Sequence, residues 1–368
     1  MSEIHLTPDL LTSADGKKIA VATWPQRRAE LYETIVPHEY GGLPPQGEKT
    51  VTIRHSHYSV RGWNGVKYAT FEVRTTFADG QELSLMLSLW IPPGDGPFPV
   101  LLNGDGCWRY FDDATVQRTL ERGNIAASFN RTEAAADNKD AYRETGLYRI
   151  FPDASFGALS AWAWAYHRCI DALVEMPQVR ADAIAISGHS RGGKTVLLAG
   201  ATDERIALTN PNDSGTGGSG SNHLKAEVAE TVDSFFDSGN IFWFGQGFAD
   251  YRHRDGELAY DQHFLHALVA PRALLVTEAY EDRAANPPGS YLACLDTQSV
   301  YQLLNASDNI GWALREGGHA HSAADFDALL DFMDLHLHKR PPQRNFQRPL
   351  FPELKALLTD LRPSKRPL

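Results

Sequence analysis

The chain of 368 residues carries a formal net charge of −11 and is 42% apolar, long enough to bury a sizeable core. Its charge is spread along the sequence rather than gathered in a tail, so nothing points to nucleic acid or an anionic membrane as a partner. Cys107, Cys169 and Cys294 lie far apart without metal-ligand spacing, and neither a disulfide framework nor a metal site is expected.

The opening MSEIHLTPDLL has no basic segment followed by an apolar core, and no run of about 18 apolar residues occurs anywhere. The expected location is the cytoplasm, and the expected state a monomer. Residues 1–48, with Pro37, Pro44, Pro45 and the Gly41-Gly42 pair, read as an extension packed on the core, with a helix around 27–31. One large domain is expected over 49–340 and a tail over 341–368.

Period two in FEVRTTF and LSLMLSLWI marks antiparallel strands between 51 and 91, joined by turns such as Asp79-Gly80. FPVLLN is a strand running into Gly104-Asp105-Gly106-Cys107-Trp108, a glycine-rich loop of the kind that supplies an oxyanion donor. A helix near 113–122, the strand NIAASFN, a charged loop over 131–156 and the long helix GALSAWAWAYHRCIDALVEM follow. IALTN is another strand, ending in Asn210-Pro211-Asn212-Asp213. The segment 217–257, rich in glycine, serine and aromatics, is too long for a simple connection and reads as a partly helical insertion over the site. Then come the strand and loop RALLVTEAYED, a helix over 291–304 and the strand GWALRE. A capping box of Ser322 and Asp325 opens the last helix, whose apolar face is Phe326, Leu329, Leu330 and Met333.

The stretch 183–194 organises the rest. AIAIS reads as a buried strand and TVLLAGA as a helix, with Gly188-His189-Ser190-Arg191-Gly192 on the sharp turn between them. This is the nucleophile elbow of an α/β-hydrolase, and the alternating strands and helices fit that fold: a three-layer sandwich around a mostly parallel sheet with antiparallel N-terminal strands. The glycines let the turn close, and the free N–H groups of the new helix face a developing oxyanion. Serine is a poor nucleophile at neutral pH, so Ser190 needs a base and the base needs a carboxylate, in the chain order Ser, acid, His. The base is read as His319 in Gly317-Gly318-His319-Ala320-His321, with His321 the alternative. Two carboxylates compete for the acid, Asp282 after the strand ALLVT and Asp213 at the end of IALT. No cofactor or metal is implied.

These motifs resemble the glucuronoyl esterases of carbohydrate esterase family 15. The family's nucleophile motif is Gly-Cys-Ser-Arg-x-Gly-Lys, where this chain reads Gly188-His189-Ser190-Arg191-Gly192-Gly193-Lys194. ALSAWAWAYHRCIDALVEM resembles the family's Ala-Trp-Ala-Trp helix, and DERIALTNPNDSGTGGSGS a segment in which a strand ends at an acidic residue followed by Ser-Gly; the likeness covers roughly 24–337. The resemblance implies a serine esterase acting on uronic acid esters or oligosaccharides that carry them. Methyl or acetyl ester hydrolysis and a non-catalytic carbohydrate-binding relative are the alternatives. It also implies Asp213 as the acid, Arg191 as an oxyanion stabiliser, and Lys194, Glu230 and Trp243 as substrate contacts. The chain departs from the family in three places. His189 and Ala320 or Ser322 stand where fungal members carry a disulfide, as suits a reducing compartment. The loop 281–286 lacks a uronate-contacting tryptophan, and 103–108 differs from the usual Gly-Asn-His loop.

Overall fold

The structure, a computed structural model, describes residues 8–13, 15–350 and 362–363. The first residues of the opening segment read above, and most of the expected tail after 350, lie outside the described residues. A helix α1 (Trp24–Tyr40) precedes three strands, β1 (Lys49–Ser59), β2 (Lys67–Thr76) and β3 (Glu82–Ile91). The chain continues through β4 (Phe98–Asn103), α2 (Asp113–Glu121), β5 (Ile125–Ser128), α3 (Gly146–Ile150), α4 (Ala158–Val174), β6 (Val179–His189), α5 (Arg191–Thr202) and β7 (Ile206–Asn212). After a two-residue β8 (Leu224–Lys225) come α6 (Val232–Asp237), α7 (Gln246–Ala249), α8 (His263–Val269), β9 (Ala273–Ala279), α9 (Pro287–Leu303), β10 (Ile310–Arg315) and α10 (Ala323–His336).

Nine strands form one sheet in the order β1-β2-β3-β5-β4-β6-β7-β9-β10, antiparallel from β1 to β5 and parallel from there on. The sequence pattern follows from what covers each strand. Val100, Leu102, Ile184, Ile186, Leu274 and Val276 face one core, and their neighbours Leu101, Ala183, Ala185, Ala273 and Leu275 face a second core under α10. With both faces buried, the central strands are continuous apolar runs. β2 alternates buried and partly exposed residues because only one of its faces is covered. The apolar face of α10, Phe326, Leu329, Leu330 and Met333, lies in the second core, each side chain stabilising by about 1.5–3 kcal/mol on burial. The Asp325 carboxylate accepts the Ser322 N–H at 2.8 Å and so starts that helix.

Several elements differ from expectation, among them α3, a helix inside the segment read as a loop over 131–156. α1 extends well beyond the helix expected at 27–31, burying Leu31, Ile35, Val36 and Tyr40 in the main core. α9 begins at Pro287 rather than 291, since prolines in the first turn remove no helical hydrogen bond. α8, seven residues of HFLHALV, is too short for its period to stand out. Among the described residues no helix is long and apolar enough to cross a membrane.

Candidate active site

Parallel strands deliver the reactive groups at their C-terminal ends: Ser190 follows β6, and across β7 Asp282 follows β9 and His319 follows β10. Ser190 adopts φ 58° and ψ −122°, a conformation that costs a side-chain-bearing residue about 1–3 kcal/mol. It is held by its N–H bond to Asn212 O at 2.9 Å and by the Lys194 N–H to Ser190 O at 3.0 Å. The turn is so tight that a Cβ on Gly192 would lie 2.2 Å from the Asp105 carboxylate.

His319 Nε2 lies 2.9 Å from Ser190 Oγ, and its Nδ1 2.6 Å from Asp282 Oδ2. An ionised carboxylate only accepts, so Nδ1 carries the hydrogen and Nε2 is left to take the serine proton. The hydrogen bond to Asp282 raises the His319 pKa above its ordinary value, against a smaller opposing effect of burial. The Asp282 side chain is 5% exposed and that of His319 48%, so the base opens onto solvent.

The expectation that Asp213 would stand behind the histidine is corrected. Its Oδ1 accepts the Ala279 N–H at 2.8 Å and its Oδ2 lies 3.2 Å from Arg315 Nη2. Burial pushes the Asp213 carboxyl up to about 7, although the Ala279 N–H and Arg315 favour its charge. The partners of Asp213 are thus the Ala279 N–H and Arg315, at the end of the outer strand β10, while Asp282 takes the imidazole. Arg315 also donates to the carbonyls of Glu316 at 3.1 Å, Gly318 at 3.3 Å and Ala320, and to Asp325 at 2.7 Å, so it cradles the histidine loop. His321 does not reach the serine. It is buried against Phe326, with ring centres 4.0 Å apart, and burial holds it neutral. His189, whose Nδ1 lies 2.6 Å from Asn212 Oδ1, places its ring centre 4.5 Å from that of His319, and burial lowers its pKa to about 4.

Two of the expected substrate contacts are also corrected. Lys194 Nζ meets Ser214 O at 2.6 Å, Thr216 O at 2.8 Å and Glu230 Oε2 at 2.6 Å, and its side chain is 2% exposed. An ammonium has three donors, and all are engaged within the protein. Glu230, 30% exposed, is the member of the pair that reaches the surface. Trp243 is buried and offers no open face for a sugar; its ring lies 4.3 Å from the Arg191 guanidinium carbon.

Sequence reasoning missed Asp105, Asp137 and Arg131. Asp105 accepts the His189 N–H at 2.8 Å and lies 3.4 Å from Arg131 Nε. Asp137 binds Arg191 Nη1 at 3.1 Å. It sits in the irregular loop after β5, where no periodicity marks which carboxylate turns inward.

A serine, an imidazole and a buried carboxylate bonded in series at the C-terminal edge of such a sheet define an α/β-hydrolase. The family model for glucuronyl esterases of fungi matches residues 75–305. The chain belongs to the glucuronoyl esterase family. It is 31% identical over 325 residues to the 4-O-methyl-glucuronoyl methylesterase of Cerrena unicolor, a match covering 86% of this chain but only 65% of that relative's length. Carbohydrate esterase MZ0003, from an unknown prokaryotic organism, is 34% identical, with 90% of each chain covered. The solved carbohydrate esterase family 15 glucuronoyl esterase of Caldicellulosiruptor kristjansonii superposes with a TM-score of 0.80 at 30% identity, covering 95% of both chains.

Proposed function

We propose that the protein hydrolyses esters of uronic acids through a uronate acyl-enzyme on Ser190. The observation that carries this reading is His319 lying between Ser190 Oγ at 2.9 Å and Asp282 at 2.6 Å in a chain of this family. Ser190 Oγ bonds to the ester carbonyl carbon while His319 Nε2 takes the hydroxyl proton, and the carbonyl electrons move onto oxygen. Arg191 and the N–H groups at the start of α5 stabilise that oxyanion. As the intermediate collapses, the bond to the alcohol breaks and His319 returns its proton to the departing oxygen. Water, deprotonated by the same imidazole, then attacks the acyl carbon and releases the free uronate and Ser190.

Glu230 accepts from sugar hydroxyls in this reading, and Lys194 acts by holding it. Methyl esters are favoured among the possible alcohols, because curated relatives carry the name 4-O-methyl-glucuronoyl methylesterase. A monomer acting in the cytoplasm on a small oligosaccharide ester is the finer part of the proposal. It draws support from His189 standing where fungal members hold a disulfide cysteine. Turnover of benzyl glucuronate, methyl glucuronate, methyl galacturonate and acetylated xylan tests it. Hydrolysis of the two glucuronates is expected; acetylated xylan alone as substrate would make the protein an acetyl esterase, and no turnover on any of the four would favour a binding module or an unrelated substrate.

A further inference from the structure

Arg191 does not stand free beside Ser190. Its guanidinium carbon lies 4.3 Å from the ring centre of Trp243 and 5.4 Å from that of Trp108. Nη1 meets the two oxygens of Asp137 at 3.2 and 3.1 Å. The same carboxylate accepts the Trp243 indole N–H at 3.2 Å and lies 3.5 Å from Arg131 Nη2. Arg131 in turn contacts Trp108 at 4.5 Å and Trp162 at 4.6 Å. Arginines and indoles thus alternate from α4 through the loops after β5 and β4 to the elbow and on to the insertion before α7, with Asp137 bonded to Arg191 and ion-paired with Arg131.

A free arginine side chain loses rotamer entropy when it is ordered. A donor fixed before reaction also needs no reorganisation as the oxyanion forms. Asp137 engages Nη1 alone and Nε is buried, so in a side chain that is 30% exposed the donor left open is Nη2. A carboxylate here also offsets the mutual repulsion of two guanidinium groups that share one indole.

We propose that Asp137 is a positioning residue that fixes the Arg191 guanidinium against Trp243, so that Nη2 serves the oxyanion. The proposal rests on the reading of Arg191 as an oxyanion donor, and the test separates the two. Methyl glucuronate turnover is measured for Asp137→Asn, Asp137→Glu, Arg191→Ala and the Asp137→Asn/Arg191→Ala pair, with near-ultraviolet circular dichroism to verify folding. Arg191→Ala is expected to lower kcat by about 10²–10³-fold. Asp137→Asn should lower it by about 10- to 100-fold with KM changed by no more than about twofold, Asp137→Glu should recover part of the loss, and the pair should fall no lower than Arg191→Ala alone. An equal loss from Asp137→Asn in both backgrounds, or a rise in KM alone, overturns the proposal. An undiminished kcat in Arg191→Ala overturns instead the reading on which it rests. Should Asp137→Asn fail to fold, Trp243→Phe decides, since it keeps a ring on Arg191 but removes the indole N–H from Asp137. A fall in kcat of about threefold or more at constant KM is expected, and an unchanged kcat overturns the proposal.

Discussion

A carboxylate orients a catalytic histidine only if it reaches the Nδ1 hydrogen. Asp282 meets the imidazole at 2.6 Å, whereas the two Asp213 oxygens meet the Ala279 N–H at 2.8 Å and Arg315 at 3.2 Å. Asp282→Asn is therefore expected to lower kcat by about 10³–10⁴-fold, because an amide permits the wrong tautomer. Asp213→Asn should cost about tenfold or less, and the reverse order in methyl glucuronate kinetics would return Asp213 to the relay. The same pair sets the pH dependence. Its hydrogen bond to Asp282 raises the His319 pKa above 6.5, and the base works only when neutral, so kcat/KM falls as pH drops through that raised value. In Asp282→Asn the acidic limb of the residual activity should move to lower pH; a limb that stays put excludes Asp282. The stability contribution has the opposite sense. It is fully present below the unfolded value of 6.5 and is lost as pH rises through the raised one.

Strand ends, more than any single loop, assemble this site, and Arg315 joins them. Its bonds to the carbonyls of Glu316, Gly318 and Ala320 shape the turn that carries His319, while Asp213 and Asp325 hold the guanidinium. Arg315→Met is expected to lower kcat by about tenfold or more and to speed amide hydrogen exchange over 316–320. Unchanged exchange with unchanged kcat would leave Arg315 as packing alone. This network also marks where the sequence stopped being legible. The elbow, the hairpin strands and α10 were readable because each is specified by its own neighbours: glycines around Ser190, period two in LSLMLSLWI, a cap at Ser322. The choice between Asp213 and Asp282 was not, because it depends on a cation two strands away from Asp213 in the sheet. Lys194 lies in the first turns of α5, but its acceptors at Ser214, Thr216 and Glu230 come from a later segment. Trp243 was picked out as an aromatic of the insertion, and nothing local could say that Arg191 would cover it.

At the scale of the molecule, α1 and the chain after β7 are fastened to each other at Glu39. Gln262 Nε2 donates to its two oxygens at 2.8 and 2.9 Å, and the Gly245 N–H bonds to its carbonyl at 2.8 Å. Burial pushes the Glu39 carboxyl up from 4.5 to about 7, although the Gln262 bonds favour the charged form. A folded pKa above the unfolded one gives stability that is complete below about 4.5 and is lost as pH rises through about 7. The change is on the order of 3 kcal/mol. Glu39→Gln cannot titrate, so the difference in Tm between variant and wild type should shift in the variant's favour between about pH 5 and about pH 8. A pH-independent difference would mean that Glu39 is not held protonated. In the proposed reaction these elements serve one event, transfer of an acyl group to Ser190, and the rate of methyl glucuronate hydrolysis by Ser190→Ala reports on it most directly. The variant removes one exposed hydroxyl and no packing. With an unchanged near-ultraviolet spectrum it should lose at least about 10⁴-fold in kcat; a folded Ser190→Ala retaining more than about a tenth of the wild-type rate would be incompatible with Ser190 as the nucleophile.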